Sequence, residues 1–338
     1  MMKAIVVTEF GGPDKLKYTE VPIPTITEKQ VLIRVIATSV NFADIKSRYG
    51  KKGNGKLPFI PGIDAAGIVE QVGSDVKNIR VGQRVIAFPL NGSYAEYVVA
   101  NENLTFVLPD EVDFTTAAAC PIVSFTSYNL LANIARLQQG ETVLIHAAAG
   151  GIGTTAIQLA KILGAGKIIG TVGTETKRKI ALDAGADHVI CYQNEDFAEK
   201  VNTLTDGEGV NVILDSISGT VSEKSLECLA YYGRLVHFGN ASGEIGTFRT
   251  KDLHASCRSI LGFSFGTTRK KRPHLLRHTA DQVFQYLRDG SLQIKLGKRF
   301  PLQDAGKAHE WVESRQSTGK VILDMKLRCH LWDHGLCT

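Results

Sequence analysis

The segment Thr142–Gly153, TVLIHAAAGGIG, constrains this chain more than any other. An apolar β-branched run enters a turn made only of alanine and glycine, and TTAIQLAKILG continues it as a helix. Small residues let a turn of this kind approach a pyrophosphate closely, and the unpaired N–H groups at the helix start face its negative charge. The spacing is Ala148-x-Gly150-x-x-Gly153, with alanine in place of the usual first glycine. Gly150, Gly151, Ile152 and Gly153 are therefore candidate cofactor contacts. The competing reading is a tight structural turn in an α/β domain.

The next strand bears on which dinucleotide is bound. A site that prefers NADH places Asp or Glu at the tip of that strand, where it accepts from the ribose 2′-hydroxyl. Here the strand ends Gly170-Thr171-Val172-Gly173-Thr174 with no carboxylate at its tip, and Lys177 and Arg178 follow. A cation there pairs with a 2′-phosphate, and Thr174 and Tyr192 add hydrogen-bond donors on the same edge. NADPH is the expected cofactor. The alternative for Lys177 and Arg178 is an ordinary solvated helix face.

Around this core the chain changes character twice. Up to about residue 125 it reads as short strands (Ala4–Val7, Val31–Val40, Ile68–Val72, Arg84–Phe88, Tyr94–Val99) punctuated by glycine and proline, a β-rich domain. From Glu141 strands and helices alternate, which specifies a parallel sheet with right-handed crossovers. After Ser259–Phe265 the alternation stops. Helices over Arg277–Leu287 and Ala305–Ser314 and a strand at Lys320–Met325 are then expected to pack back on the first domain.

With 338 residues and 43% hydrophobic content the chain can build two cores. A formal net charge of +5 is too mild for a dedicated nucleic-acid binder. No apolar run is long enough to span a bilayer, and the N-terminus lacks signal-peptide architecture. The six cysteines form no C-x-x-C pair, and the first four are scattered singly. This fits reduced thiols and a cytoplasmic location, and argues against a zinc site of ordinary spacing. His146, at the end of the first sheet strand, reads as a packed histidine supporting the turn.

Several further motifs stand in order: Val40-Asn41-x-x-Asp44, Pro61-Gly62-x-Asp64-x-x-Gly67-x-Val69-x-x-Val72-Gly73, the glycine-rich turn itself, Gly170-Thr-Val-Gly-Thr174 with Lys177, and Phe238-Gly239-Asn240-Ala241-Ser242-Gly243. Over residues 2 to about 326 the chain resembles the zinc-independent branch of the medium-chain dehydrogenase/reductase superfamily, specifically the NADPH:quinone oxidoreductases. The resemblance implies an α/β protein made of a GroES-like catalytic domain (1–124, completed by 268–326) and a Rossmann doubly wound domain (125–267). It implies cofactor contacts at Asn41, Thr126, Gly150, Gly151, Ile152, Gly153, Gly173, Thr174, Lys177, Tyr192, Phe238, Gly239, Asn240, Phe263 and Arg315. Zinc alcohol dehydrogenases of the superfamily carry Cys where Asn41 stands, His-Glu where Ile63-Asp64 stands and Cys near Ile122. Asn41 and Ile63 are not plausible Zn²⁺ ligands, so no metal is expected.

Without a Lewis acid to lower its pKa, an unactivated alcohol is a poor substrate. Hydride delivery to a conjugated acceptor fits a metal-free site: a quinone, with an enone (alkenal) or enoyl thioester as the alternative. A second alternative is a non-catalytic NADPH-binding or RNA-binding relative. By family comparison Asn41 orients a carbonyl or the nicotinamide amide, Asp44 organises water or a proton path, and Tyr49 is a pocket wall. The plainer readings are a turn residue, a helix N-cap and simple packing, respectively. The basic run Arg269-Lys270-Lys271-Arg272 reads as a solvated loop. The tail after residue 326, with Cys329, His330, His334 and Cys337, reads as a disordered appendage. The apolar strand 259–265 lacks the usual protections of a free sheet edge, and related reductases pair this edge across a two-fold axis, so a homodimer is expected.

Overall fold

The computed structural model describes residues 1–51 and 56–325, so the reading of the tail falls outside the described residues. The chain forms two compact units, one made of Met1–Ile122 together with the segment from Leu296 onward, the other of Val123–Lys295.

The first unit opens with β1 (Met2–Val7), β2 (Leu16–Val21) and β3 (Gln30–Val40), then helix α1 (Phe42–Arg48). It continues with β4 (Ala65–Val72), β5 (Arg84–Ala87), β6 (Tyr97–Asn101) and β7 (Thr105–Val107). Helix α2 (Phe114–Tyr128) carries the chain across the boundary between the units. The second unit alternates as the sequence requires: β8 (Thr142–Ile145), helix α3 (Gly151–Ile162), β9 (Lys167–Val172), β10 (His188–Cys191), β11 (Val210–Asp215), β12 (Leu229–His237) and β13 (Ser259–Gly262). The chain then returns to the first unit as β14 (Leu296–Pro301) and β15 (Lys320–Asp324).

The second sheet has the order β10-β9-β8-β11-β12-β13, every pair parallel. This is the doubly wound arrangement of dinucleotide-binding folds, reversing between β8 and β11. Leu144, Ile169, Ile190, Ile213 and Leu235, one from each of its five inner and outer strands before β13, meet in one buried cluster. In the first unit the path β14-β15-β3-β4-β5-β7 places the long β3 between β15 and β4, and β6 also pairs with β3. Val40, Leu302, Val321 and Leu323 share one core, so the C-terminal segment is built into this unit.

Three expectations need correction. Residues 268–295 belong to the dinucleotide unit, not the first. The helix Leu275–Arg288 buries Leu276, Ala280, Val283 and Phe284, its Phe284 ring lies 6.5 Å from that of Phe125, and Asn129 Nδ2 donates to Thr279 Oγ1 at 3.0 Å. An amphipathic helix shows in sequence that it must pack, but not on which unit. The edge strand stops at Gly262, because Ser264 caps a helix over Phe265–Lys271 by accepting from the Thr267 N–H. The same helix absorbs Arg269, Lys270 and Lys271, so the basic run is a helix end, with the Arg269 guanidinium 5.7 Å from the Phe265 ring centre.

Candidate active site

Because all six strands of the second sheet are parallel, their C-terminal ends lie along one edge, and most predicted contacts are there. Gly150–Gly153 follow β8, Gly173 and Thr174 follow β9, Tyr192 follows β10, Phe238–Asn240 follow β12 and Phe263 follows β13. Two of them touch. A side chain at Gly173 would lie 2.8 Å from the Tyr192 hydroxyl, so Tyr192 covers the tip of β9. The turn after β8 is tight, with Ala147 at a positive φ of 53°. Gly153 is packed so closely that a Cβ would lie 2.4 Å from the Ala147 carbonyl oxygen and 2.6 Å from the Ala148 backbone. Helix α3 thus starts directly against the turn, with Gly150 as its N-cap. Thr126 is buried in α2.

Two polar groups hold this edge: Asp215, to which the sequence reading gave no role, and His146, which it read as a packed support for the turn. Asp215, buried at the end of β11, accepts from the Ile217 and Ser218 N–H groups and from the Ser222 hydroxyl, and lies 3.2 Å from His237 Nδ1. His146 lies between Thr171 Oγ1 at 2.9 Å and Ser225 Oγ at 3.0 Å, and burial pushes its pKa down to about 4, so it is neutral and structural. Arg178 proves to be committed elsewhere. It pairs with Glu175 at 2.8 Å and Glu195 at 3.0 Å and donates to the Val189 carbonyl. The Arg178 guanidinium holds Glu175 down to about 2. Lys177, the other predicted cation, lies half-buried in the turn Glu175–Lys177.

In the first unit the predicted catalytic residues sit at the end of β3. Asn41 is the N-cap of α1, and its N–H donates to Asp44 Oδ2 at 2.8 Å. Each residue is therefore bound into a capping arrangement. The Asn41 amide is engaged at both ends: Oδ1 accepts from Lys320 Nζ at 2.7 Å, and Nδ2 donates to Asp64 Oδ1 at 3.2 Å. Asp64 also accepts from Ser39 Oγ at 3.0 Å. Burial raises the Asp64 pKa and lowers that of Lys320, while their mutual attraction opposes both shifts.

A second chain of hydrogen bonds ends on Asp44. Arg48 is wholly buried and donates to the Gly11 carbonyl, to both Glu313 oxygens at 2.9 Å and to His309 Nδ1 at 3.0 Å. A guanidinium only donates, so His309 carries its proton on Nε2 and donates it to the Tyr94 hydroxyl at 3.0 Å. The Tyr94 hydroxyl is then free to donate to Asp44 Oδ2 at 3.4 Å. Burial and the Arg48 charge push the His309 pKa down to about 3, so the direction of this chain holds at neutral pH. Tyr49, 40% exposed, caps α1 with its ring 4.5 Å from the Arg48 guanidinium. Arg315 is exposed at the end of the helix Ala305–Glu313, with φ of 59°. Among the described residues no group of three or more His, Cys, Asp or Glu is arranged to hold a metal ion.

Lys320, Tyr94 and His309 were given no role in the sequence reading, and Asp64 stood there only as part of a motif, because these partners lie far apart in the chain. The one local signal was Lys320 itself, a lysine opening the apolar run Val321–Leu323.

A doubly wound sheet with a glycine-rich turn on its ligand edge, carried with a largely antiparallel β-rich unit, defines a dinucleotide-dependent oxidoreductase of two domains. The dehydrogenase families agree: residues 27–110 match the alcohol dehydrogenase GroES-like domain, and residues 151–281 match the zinc-binding dehydrogenase domain. The chain is 38% identical over 331 residues to a quinone oxidoreductase of Pseudomonas aeruginosa, covering 96% of this chain and 99% of the relative. The Pseudomonas syringae quinone oxidoreductase structure is 35% identical and superposes with a TM-score of 0.90, covering 96% of this chain and all of that one. The Escherichia coli quinone oxidoreductase, solved in complex with NADPH, is 34% identical with a TM-score of 0.88, covering 95% of this chain and 99% of that one. The chain belongs to the quinone oxidoreductase family of medium-chain dehydrogenases/reductases.

Proposed function

We propose that the protein is an NADPH-dependent quinone reductase that works without zinc. The observation that carries this reading is its likeness, over nearly the whole length of both chains, to quinone oxidoreductases, one of them solved with NADPH. The residues present fit that cofactor: the side-chain-free cradle at Gly153 matches a pyrophosphate, and the carboxylate-free tip of β9 with Thr174, Lys177 and Tyr192 matches a 2′-phosphate. When bound, NADPH supplies a hydride. A quinone that takes this hydride and one proton from solvent becomes a hydroquinone, its conjugation spreading the intermediate negative charge. The residues of the chain bind and orient. Gly150–Gly153 hold the pyrophosphate at the start of α3, and Phe238–Asn240 and Phe263 line the same edge. Asn41, Asp44 and Tyr49 form the polar wall offered to the reacting groups, with Thr126 and Arg315 as further cofactor contacts.

The test is NADPH consumption by the purified protein with 1,4-benzoquinone, naphthoquinones, alkenals and crotonyl-CoA, each with and without a strong chelator. Quinone turnover that survives chelation is expected. Faster turnover of crotonyl-CoA or alkenals than of any quinone would move the assignment to an enoyl or enone reductase. No turnover with any acceptor would leave a non-catalytic nucleotide binder.

The cofactor choice has its own test. A charged hydrogen bond from Lys177 to the 2′-phosphate is worth about 1.5–3 kcal/mol, which corresponds to roughly tenfold or more in preference for NADPH. Lys177→Ala should erase most of that preference while leaving NADH use almost unchanged. Equal use of the two cofactors by the native protein would overturn the role given to Lys177.

We infer further that the protein is a cytoplasmic homodimer. No helix among the described residues is long and apolar enough to cross a membrane. Strand β13 lies at the end of its sheet, with Ile260 and Leu261 only half-buried and no Lys, Glu or Pro in Ser259–Gly262. An edge of this kind is a template for pairing with a second copy. Light scattering should give twice 36.7 kDa at micromolar concentration. Leu261→Pro should return the mass to that of one chain, because proline deletes a backbone donor and its ring blocks close pairing. A native protein of single-chain mass would exclude the dimer.

A further inference from the structure

Two fully buried charges remain unused by the function proposed above. Lys320 is the first residue of β15, and Asp64 immediately precedes β4. These strands flank β3 on its two sides, and β3 ends beside Asn41. The topology thus brings an ammonium and a carboxylate to opposite ends of one side-chain amide. Lys320 Nζ donates to Asn41 Oδ1 at 2.7 Å and to the Val40 carbonyl at 3.1 Å. Asn41 Nδ2 donates to Asp64 Oδ1 at 3.2 Å.

The chemistry of the pair permits only one orientation of the amide. A lysine ammonium has donors only, and an ionised carboxylate has acceptors only. Turning the amide over would set its NH₂ against the ammonium and its oxygen against the carboxylate, two repulsive contacts in a buried site. The supporting groups are fixed in turn, because Ser39 Oγ donates to Asp64 and Thr38 Oγ1 donates to the Asp64 backbone carbonyl at 2.6 Å.

We propose that Lys320 is a positioning residue: with Asp64 it clamps the Asn41 amide in one orientation, so that Asn41 meets the nicotinamide or the acceptor as a hydrogen-bond acceptor through Oδ1. This rests on the reading that Asn41 lines the reacting pocket. The clamp also selects between the two roles expected for Asn41. Its Nδ2 is turned to Asp64 and Ser39, at 3.2 and 3.3 Å, whereas Oδ1 keeps a second lone pair. A carboxamide N–H, not a carbonyl oxygen, is the complementary partner. Stability alone does not account for the arrangement, because replacing a buried charged pair with neutral residues is commonly neutral or stabilising.

The experiment separates the clamp from its catalytic consequence. In the ligand-free native protein the Asn41 side-chain NH₂, assigned by its loss in Asn41→Ala, should give exchange-protected NMR resonances. Lys320→Met should abolish that protection. Kinetics then use Lys320→Met/Asp64→Asn, which leaves no unpaired buried charge. Its thermal transition is expected to stay near the native one while kcat falls about tenfold or more, with a smaller change in the quinone KM. Adding Asn41→Ala should lower kcat no further, and Lys320→Arg should restore much of the loss seen in Lys320→Met. Native turnover in the charge-neutral variant, or losses that multiply when Asn41→Ala is added, would overturn the proposal. If the resonances behave as expected but Asn41→Ala turns over normally, the clamp exists and it is the placement of Asn41 in the pocket that falls, taking the positioning role with it.

Discussion

Placing alanine at Gly153 is expected to weaken NADPH binding about tenfold or more and to lower the thermal transition of the ligand-free protein. The new methyl group would lie 2.4 Å from the Ala147 oxygen and 2.6 Å from Ala148, all backbone atoms that cannot swing aside. The turn and the start of α3 must move apart, and overpacking of this kind costs about 1–3 kcal/mol. With the pyrophosphate placed at the start of α3 as proposed, the same shift pulls the helix N–H groups away from it, and each 1.4 kcal/mol is tenfold in affinity. Gly150→Ala is the control. Its methyl group would meet only the Ala147 oxygen, at 3.3 Å, so the ligand-free protein should melt close to the native temperature. Nucleotide titration and thermal melting of both variants check this. Equal destabilisation by the two would mean that close packing at Gly153 is not what the turn requires.

The second large effect is expected at Arg48. Arg48→Ala removes four polar contacts at once and leaves His309 and the buried side of Glu313 without their donor. Breaking a buried pair from one side costs about 3–5 kcal/mol. At roughly 2–4 °C per kcal/mol for a unit of this size, the first unit should melt some 6 °C or more below the native protein. Arg48→Lys should recover part of this, because it restores charge but not the planar fork. Turnover should fall as well, since His309 loses the donor that fixes its tautomer, and Tyr94 loses its assigned direction toward Asp44. A melting temperature unchanged in Arg48→Ala would show that the network contributes little.

What could be read from the sequence follows from how local each signal is. The strand–turn–helix at Thr142–Gly153 is contiguous, and the parallel alternation after it repeats at short range, so the dinucleotide fold and its ligand edge were evident. Strands whose faces are half wet were not. β2 reads LKYTEV and β14 reads LGKRFP, patterns too polar, or too rich in glycine and proline, to stand out. Leu229 and Ala230 fit the end of a helix by composition, yet they begin β12, whose pairing with β11 is displaced by a bulge. The polar cluster was the least legible. Asn41 and Asp44 were reached by resemblance, but their partners Lys320 and Tyr94 sit 279 and 50 residues away, and only the sheet order brings them together.

The passage of the chain out of the first unit and back has a consequence for how the protein comes off the ribosome. The dinucleotide unit, Val123–Lys295, is one unbroken stretch that can close as soon as it has emerged. The first unit cannot. Its long strand β3 waits for β15, and Asp64 waits for its counter-charge, until 279 further residues separating Asn41 from Lys320 have been made. At about 5–20 residues per second this is a delay of roughly 15–60 s, during which the N-terminal half holds an open sheet edge and an uncompensated carboxylate. Strand β15 therefore decides whether the earlier-made half is kept, and truncations near residue 320 should be lost to aggregation or proteolysis before they can be assayed.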